Sequence, residues 1–331
     1  MAPLPAGPGT ARRGQNCEVG LEAMSDLYFH LPAERGVIAV SGEDRQSFLQ
    51  GLISNDTARI APDQAIYATL LTAQGRFLFD LFLVQEGERY LVDGAADRRA
   101  DLVKRLSMYR LRAKVAIADA TQDWCVALLY GRGAAAAVGL GSQPGKATAF
   151  GGGVAMVDPR LAELGVRLIL PRAGAIEKLS ALGAAADQTG ARYHAMRVAL
   201  GVPDAARDLI PEKSILLENG MDELNAIDWQ KGCYMGQELT ARTRYRGLVR
   251  KRLLPVRIDG PAPAAGTPLL QGDKELGEMR STTEDGTLGL AMVRLEALAG
   301  NAQPVFSAGD AKVSPAIPAW MRLPEPDEAK A

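Results

Sequence analysis

Cysteine and histidine are scarce in this chain of 331 residues, with three of the first and two of the second. Cys17, Cys125 and Cys233 stand more than a hundred residues apart, and no C-x-x-C pair occurs. That spacing excludes a disulfide framework and a preformed zinc or cluster site. His30 and His194 alone exclude a histidine-rich metal centre. Excess charge is missing too: 38 Lys plus Arg face 39 Asp plus Glu, a net charge of −1. Whole-surface attraction to nucleic acid or to an anionic membrane is thereby excluded. The apolar runs are strand-length, short of the roughly 20 residues that cross a bilayer. What is present is an ordinary globular composition, 47% hydrophobic and 23% charged. The length suits about two domains and buries a core without cross-links. A cytoplasmic protein with no membrane partner is expected.

Residues 1–23 carry Pro3, Pro5, Gly7, Pro8 and Gly9 with no apolar core, so they are expected to be a disordered or mis-started extension rather than a secretory signal. From Met24 the pattern is regular. A strand at 36–41 leads to a helix beginning near Gly42 that carries Phe48, Leu49, Leu52 and Ile53 on one face. Runs 65–71 and 77–84 flank Thr72-Ala73-Gln74-Gly75, a hairpin signal, and a strand at 90–92 follows. A basic helix is expected over 97–107 and a strand over 111–117. Further strands fall at 125–129, 154–157 and 166–170, and helices at 173–182 and 191–200, with a surface excursion at 131–153. Frequent hairpins without a glycine-rich phosphate loop indicate an α+β body, not a doubly wound sheet. After Gly247 short strands at 250–258, 267–270, 275–281, 287–293 and 311–313, punctuated by Gly and Pro, predict a small barrel or sandwich over 248–323. Residues 324–331 read as a frayed tail.

One octapeptide stands apart: Lys231-Gly232-Cys233-Tyr234-Met235-Gly236-Gln237-Glu238. Two glycines around a cysteine and a tyrosine indicate a tight loop. Lys231, two residues before the sulfur, has the charge that stabilises a thiolate, the reactive form. The competing reading is an inert buried cysteine in a turn, since free cysteine is among the most buried residue types.

The octapeptide resembles the signature of the YgfZ family, folate-binding-like proteins related to the glycine-cleavage T-protein. Collinear stretches support this: 48–56 (FLQGLISND), 71–76 (LTAQGR), 109–115 (YRLRAKV), 197–203 (RVALGVP) and 277–281 (GEMRS). The resemblance covers about residues 27–320. It implies two interlocked α+β domains over 24–247 around a folate-sized channel, plus a C-terminal antiparallel β-barrel. It also implies a role in assembly, insertion or repair of [4Fe–4S] proteins, including radical-SAM tRNA-modifying enzymes, with client or scaffold proteins as partners. The functional thiol is then Cys233, and Lys231, Gly232, Tyr234, Gly236, Gln237 and Glu238 form its setting. A single cysteine cannot hold a [4Fe–4S] cluster, so any cluster ligation by Cys233 is transient and shared with a partner or small thiol.

Two departures bear on chemistry. The T-protein relatives carry paired aspartates after the hairpin, one of them catalytic; here the stretch is Phe77-Leu78-Phe79-Asp80, and Phe79 cannot act as a base. Ala199 stands where many relatives place a glutamate that holds the pterin ring. Both argue against aminomethyl transfer, and the second against tight binding of tetrahydrofolate or a related folate, the implied cofactor. No classical enzyme and no permanently bound metal is expected.

Cofactor-binding candidates are Asn55 and Asp56 after the first helix, Arg112, Tyr193 and Arg197, and Arg242 with Arg244. If 240–252 is extended, Arg242, Arg244 and Arg246 share a face suited to a folate tail, a phosphate or an RNA backbone; an edge strand protected by charge is the bland alternative. Arg112 and Lys114 are expected to share a strand face and line the channel. Tyr193 suits stacking on a pterin, or simply the core. His194 is expected to be structural. Two rival functions stand beside the cluster reading: a folate-dependent methyl or aminomethyl transferase or demethylase, and a non-catalytic folate or RNA binding protein.

Overall fold

The computed structural model describes residues 26–247, 249–298 and 304–323. The expected extension at 1–23, with Cys17, and the tail at 324–331 lie outside the described residues.

The α+β body holds two sheets. In the first, the strands run in the order Ile66–Leu71, Phe77–Glu86, Arg89–Ala95, Arg35–Ser41 and Ala116–Asp119, antiparallel throughout. The second is built from Trp124–Gly131, Val166–Pro171, Gly153–Val157 and Ala147–Phe150, with Leu27–His30 and Ala185–Ala186 on the other side of Trp124–Gly131. Leu27–His30 precedes every strand of the first sheet yet pairs in the second, antiparallel to Trp124–Gly131 and parallel to Ala185–Ala186. This is the interlock that the resemblance implies.

Alternation decides what each face meets. Along Phe77–Glu86, Phe82 and Val84 join Val126, Met156 and Ile169 of the second sheet in one core. Phe79, Leu81 and Leu83 face the other way, against the helices Arg45–Gln50 and Arg99–Tyr109. The loop region 209–234 closes the first of these cores with Leu209, Leu216, Met221, Ile227 and Tyr234.

The barrel closes in the order Lys251–Asp259, Leu288–Arg294, Lys274–Thr282, Pro268–Gln271, Phe306–Ala308 and Ala311–Pro315. Five of these strands fall where the Gly and Pro punctuation places them, and Phe306–Ala308 is an additional one. It docks on the body through Val198 against Leu253, Leu290 and Met292, and through directed polar contacts. Arg252 donates to the Leu217 carbonyl at 2.6 Å and pairs with Glu223. Ser281 donates to Asp208 at 2.5 Å, and Trp320 Nε1 to the Leu200 carbonyl at 2.7 Å.

Three expected elements differ. The expected surface excursion at 131–153 holds a short helix, Ala134–Ala137, and the edge strand Ala147–Phe150, with Ala134, Val138 and Ala147 buried. The strand over 111–117 is instead a turn, with Leu111 at φ 44° and Ala113 N–H donating to Arg110 O, and pairing starts only at Ala116. Arg112 and Lys114 are exposed there rather than lining a channel, and Lys114 pairs with Glu43 at 2.8 Å. The extended reading of 240–252 also fails, because Gln237–Tyr245 is a helix. Good helix formers and an i, i+4 Glu238–Arg242 pair outweigh the charge spacing. On a helix Arg242 and Arg244 point to different sides.

His194 joins the barrel to the body as expected of a structural residue. Arg197 donates to its Nδ1 at 2.9 Å, and a guanidinium has no acceptor, so the ring proton sits on Nε2 and is donated to Thr282 O at 3.0 Å. Burial, then Arg197, holds the ring below its usual pKa. The folded state therefore binds fewer protons than the unfolded one, and the contribution is present above the unfolded value near 6.5 and lost as pH falls below it. Urea midpoints should drop between pH 7 and pH 5 in the natural protein, and His194→Gln should flatten that part of the profile; equal slopes refute the assignment.

Candidate functional site

The octapeptide begins with a turn made by Asp228, whose Oδ1 accepts the N–H groups of Gln230 at 2.8 Å and Lys231 at 3.1 Å. Lys231 then turns inward. Its Nζ donates to the carbonyls of Gln50 at 2.9 Å, Ile53 at 2.6 Å and Asn55 at 2.8 Å. Gln50 ends the short helix Arg45–Gln50, Ile53 and Asn55 lie in the segment that follows it, and the ammonium's three protons match the three carbonyls one to one. Burial pushes Lys231 down to about 8, against Asp56 and Asp228, which favour the charge. Lys231 is therefore a staple between the loop and the first helix, which corrects its expected role beside the sulfur.

Tyr234 is buried in the inter-sheet core, with its ring 5.1 Å from Lys231 Nζ, and burial raises its hydroxyl to about 12. Its N–H donates to Gln237 Oε1 at 3.3 Å, and the next N–H, of Met235, donates to Gly51 O at 3.0 Å. Gly236 has φ 82°, and a Cβ there would sit 2.4 Å from Thr72 O and 3.0 Å from Gly75 Cα. A Cβ on Gly75 would in turn meet Gly236 O at 2.6 Å. The Thr72–Gly75 hairpin and the octapeptide thus touch through two glycines that no other residue can replace without displacement.

Between these anchors the chain projects. Gly232 faces open space, and Cys233 is exposed. The competing reading of a buried turn cysteine does not fit, whereas Cys125 is the buried one, its thiol pushed up by desolvation. Glu238 lies on the first turn of the following helix, exposed and paired to Arg242. Arg244 stacks on Trp229 at 4.1 Å, a cation–π contact on the surface.

The remaining candidates sit elsewhere. Asn55 is buried and donates to the carbonyls of Tyr67 at 2.7 Å and Asn225 at 2.8 Å. Asp56 caps the turn Thr57–Arg59 through Ala58 N–H and accepts from Gln50. Tyr193 and Arg197 do share a cavity between the sheets, with His30, Asp80, Arg160 and Arg167. It measures about 50 Å³, against the roughly 300 Å³ at which small-molecule sites begin. An ion network fills the space: Arg35 bridges Asp80 at 2.9 Å and Asp93 at 2.6 Å, and Arg167 reaches Asp93 at 2.6 Å. Arg160 pairs with Asp158 at 2.9 Å and contacts Tyr193 Oη at 3.3 Å, and Arg197 pairs with Asp208 at 2.7 Å.

This geometry revises both departures noted in the sequence. Phe79 points to the helix side, under Arg98 at 4.1 Å, so the carboxylate that lines the cavity is Asp80. Ala199 is exposed at the end of its helix and does not line the cavity. The sequence reading missed Arg35, Asp93, Asp158, Arg160 and Arg167. Their signal was available, since Asp93 and Arg167 are charged residues inside otherwise apolar strands.

A family model for the GCVT N-terminal domain matches residues 33–141, and one for the CAF17 C-terminal β-barrel domain matches 250–323. The solved structure of the glycine cleavage system aminomethyltransferase T from Bartonella henselae superposes with a TM-score of 0.71 at 16% identity. It covers 89% of this chain and 86% of its own, and at that identity it shows the fold alone. The iron-sulfur cluster assembly factor IBA57, mitochondrial, of Homo sapiens is 32% identical over 308 residues, 86% of this chain and 83% of that protein. The chain belongs to the IBA57 family. The Mycosarcoma maydis homologue is 34% identical over 71% of this chain, which spans 57% of that protein. The expected YgfZ resemblance is thereby narrowed to an IBA57 membership within the same T-protein-like fold. The expectation of a cytoplasmic protein is overturned, since these relatives are named as mitochondrial.

Removing the Lys231 ammonium strands three carbonyls, so Lys231→Met should lower unfolding free energy by roughly 3 kcal/mol. Cys233→Ser, on the exposed projection, should change it by less than about 0.5 kcal/mol. Denaturant titration of both variants checks the pair. Tetrahydrofolate at millimolar concentration should leave the melting temperature unchanged; a rise of several degrees would show that the side chains of the central cavity move aside to admit it.

Proposed function

We propose that this protein is an accessory factor in assembly, insertion or repair of [4Fe–4S] clusters, with Cys233 as the thiol that meets the cluster. The observation that carries this reading is the projection itself. Lys231 and Tyr234 are buried on either side, and the residues between them are held out to solvent with the sulfur at the tip. A ligand so fixed loses little conformational freedom when it binds. The names of the relatives support the same process.

The cluster is cargo here. A [4Fe–4S] cube takes four thiolate-type ligands, and one thiol supplies one of them. Among the described residues no group of three His, Cys, Asp or Glu side chains is placed to hold a metal ion. The other ligands then come from a client or scaffold protein, or from a small thiol. Cys233 holds one iron while three ligands of the client hold the others; the client's fourth thiolate then bonds that iron, the Cys233–iron bond breaks, and Cys233 leaves as the free thiolate. A folate-dependent one-carbon transferase is not favoured, because Asp80 is held by Arg35 and the cavity is filled. Radical-SAM tRNA-modifying enzymes are among the clients of this reading.

Deletion of the gene in its host should reduce a [4Fe–4S]-dependent tRNA methylthiolation. The natural gene should restore it, and Cys233→Ser should leave it near the deletion level. Equal rescue by both would return Cys233 to a structural role. Full methylthiolation in the deletion strain would remove these enzymes from the clients.

A further inference from the structure

Three of the seven large hydrophobic side chains exposed among the described residues fall within four positions: Met108 at 65%, Tyr109 at 43% and Leu111 at 89%. Leu111 also has φ 44°, a left-handed conformation that costs a branched L-residue roughly 1 kcal/mol or more. The backbone is strained there, and the side chain it carries is the most exposed of the set. Behind these residues lies a cavity of about 270 Å³, walled by Leu71, Met108 and Tyr109, by the hairpin at Thr72–Gln74, and by Met235 of the octapeptide. That volume suits one or two bulky apolar side chains and falls just short of a typical small-molecule site.

The charged residues of the lining are Arg105 and Glu212, which pair with each other at 3.6 Å. The chain beside the cavity is basic: Lys104 lies one turn before Met108, Arg110 and Arg112 flank Leu111, and all three are exposed and carry no ion pair among the described residues. Met235 is two residues from Cys233, so their Cα atoms are at most about 7 Å apart. A largely apolar pocket beside a basic stretch of chain matches an acidic segment bearing an apolar anchor, the arrangement in which a buried side chain supplies affinity and surrounding charges supply register.

We infer that this groove is the docking site for an acidic protein segment with one large apolar anchor, which sets the partner's own ligands beside Cys233. The inference rests on the reading of Cys233 as a shared cluster ligand. It gives Arg112 a place on a partner-facing rim instead of in a folate channel. A nucleic acid would satisfy the cations and leave Leu111 and the pocket unused, so a protein segment fits the whole surface better.

The test uses the full chain with a short peptide holding a leucine–phenylalanine pair between glutamates. A terminal cysteine on the peptide is blocked as its thionitrobenzoate mixed disulfide. Cys233 Sγ, as thiolate, forms a disulfide to the peptide sulfur; the old S–S bond breaks and thionitrobenzoate leaves with the electron pair. Docking raises the local concentration of the peptide at Cys233, so release should be about tenfold or more faster than from the glutathione mixed disulfide. A peptide with lysines for glutamates should lose this advantage. Leu111→Ser, and separately Arg110→Glu with Arg112→Glu, should reduce the rate to that of glutathione while leaving the glutathione rate itself unchanged. Equal rates for acidic and basic peptides, or no effect of these variants, would overturn the inference. So would displacement of the acidic peptide by a single-stranded oligonucleotide more readily than by its own unlabelled copy. If the groove captures the peptide but Cys233→Ser supports full cluster maturation in the host, the cluster reading fails and the groove stands.

Discussion

The three hydrogen bonds from Lys231 to the carbonyls of Gln50, Ile53 and Asn55 govern the shape of the segment that carries Cys233. An ammonium is costly to bury unless each of its protons finds an acceptor, and this one finds one acceptor per proton. Once Lys231 is drawn in and Tyr234 fills the inter-sheet core, the geometry between them is set. Gly232 and Cys233 can only bow outward. The exposure of the sulfur is thus a by-product of satisfying buried polar groups on an element far away in sequence. The glycine pair Gly75 and Gly236 fixes the other end of the bow against the hairpin.

The centre of the body follows a different principle. Where the resemblance to the T-protein implies a ligand channel, arginines and aspartates from both sheets neutralise one another and leave a cavity of only about 50 Å³. Arg35, Asp80 and Asp93 on the first sheet and Asp158, Arg160 and Arg167 near the second make a brace with cross-sheet contacts, such as Arg167 to Asp93. Buried ion pairs of this kind seldom add much net stability over apolar packing, and their worth lies in fixing how two layers register. The inherited fold has its ion-paired brace in the centre and its exposed cysteine at the edge.

Much of this was legible from the chain. The barrel strands, the Thr72–Gly75 hairpin and the α+β class follow from alternation and from Gly and Pro punctuation, which are local signals. The exposed cysteine was singled out by its glycine-flanked setting. The failures have physical causes. No local pattern announces that Lys231 will bond carbonyls some 180 residues earlier. The arginine spacing at 242, 244 and 246 fits a strand only if helix propensity and the Glu238–Arg242 pair are ignored. Arg112 was misplaced because one left-handed residue, Leu111, stands at the head of an otherwise strand-like run and turns the chain until pairing starts at Ala116. The role given to Phe79 was avoidable: Asp80 shares strand parity with Phe82, a core residue, and Phe79 does not.

The placement of Leu27–His30 carries a consequence for how the chain comes to be folded. That strand is made first, yet its neighbours are Trp124–Gly131 and Ala185–Ala186. During synthesis it must wait, with its edge unpaired, while the first sheet forms from the chain in between. Long-range pairings of this sort are slow and leave strand edges exposed to aggregation. Heat, dilution of chaperones or an early truncation would therefore strike this protein at Leu27–His30.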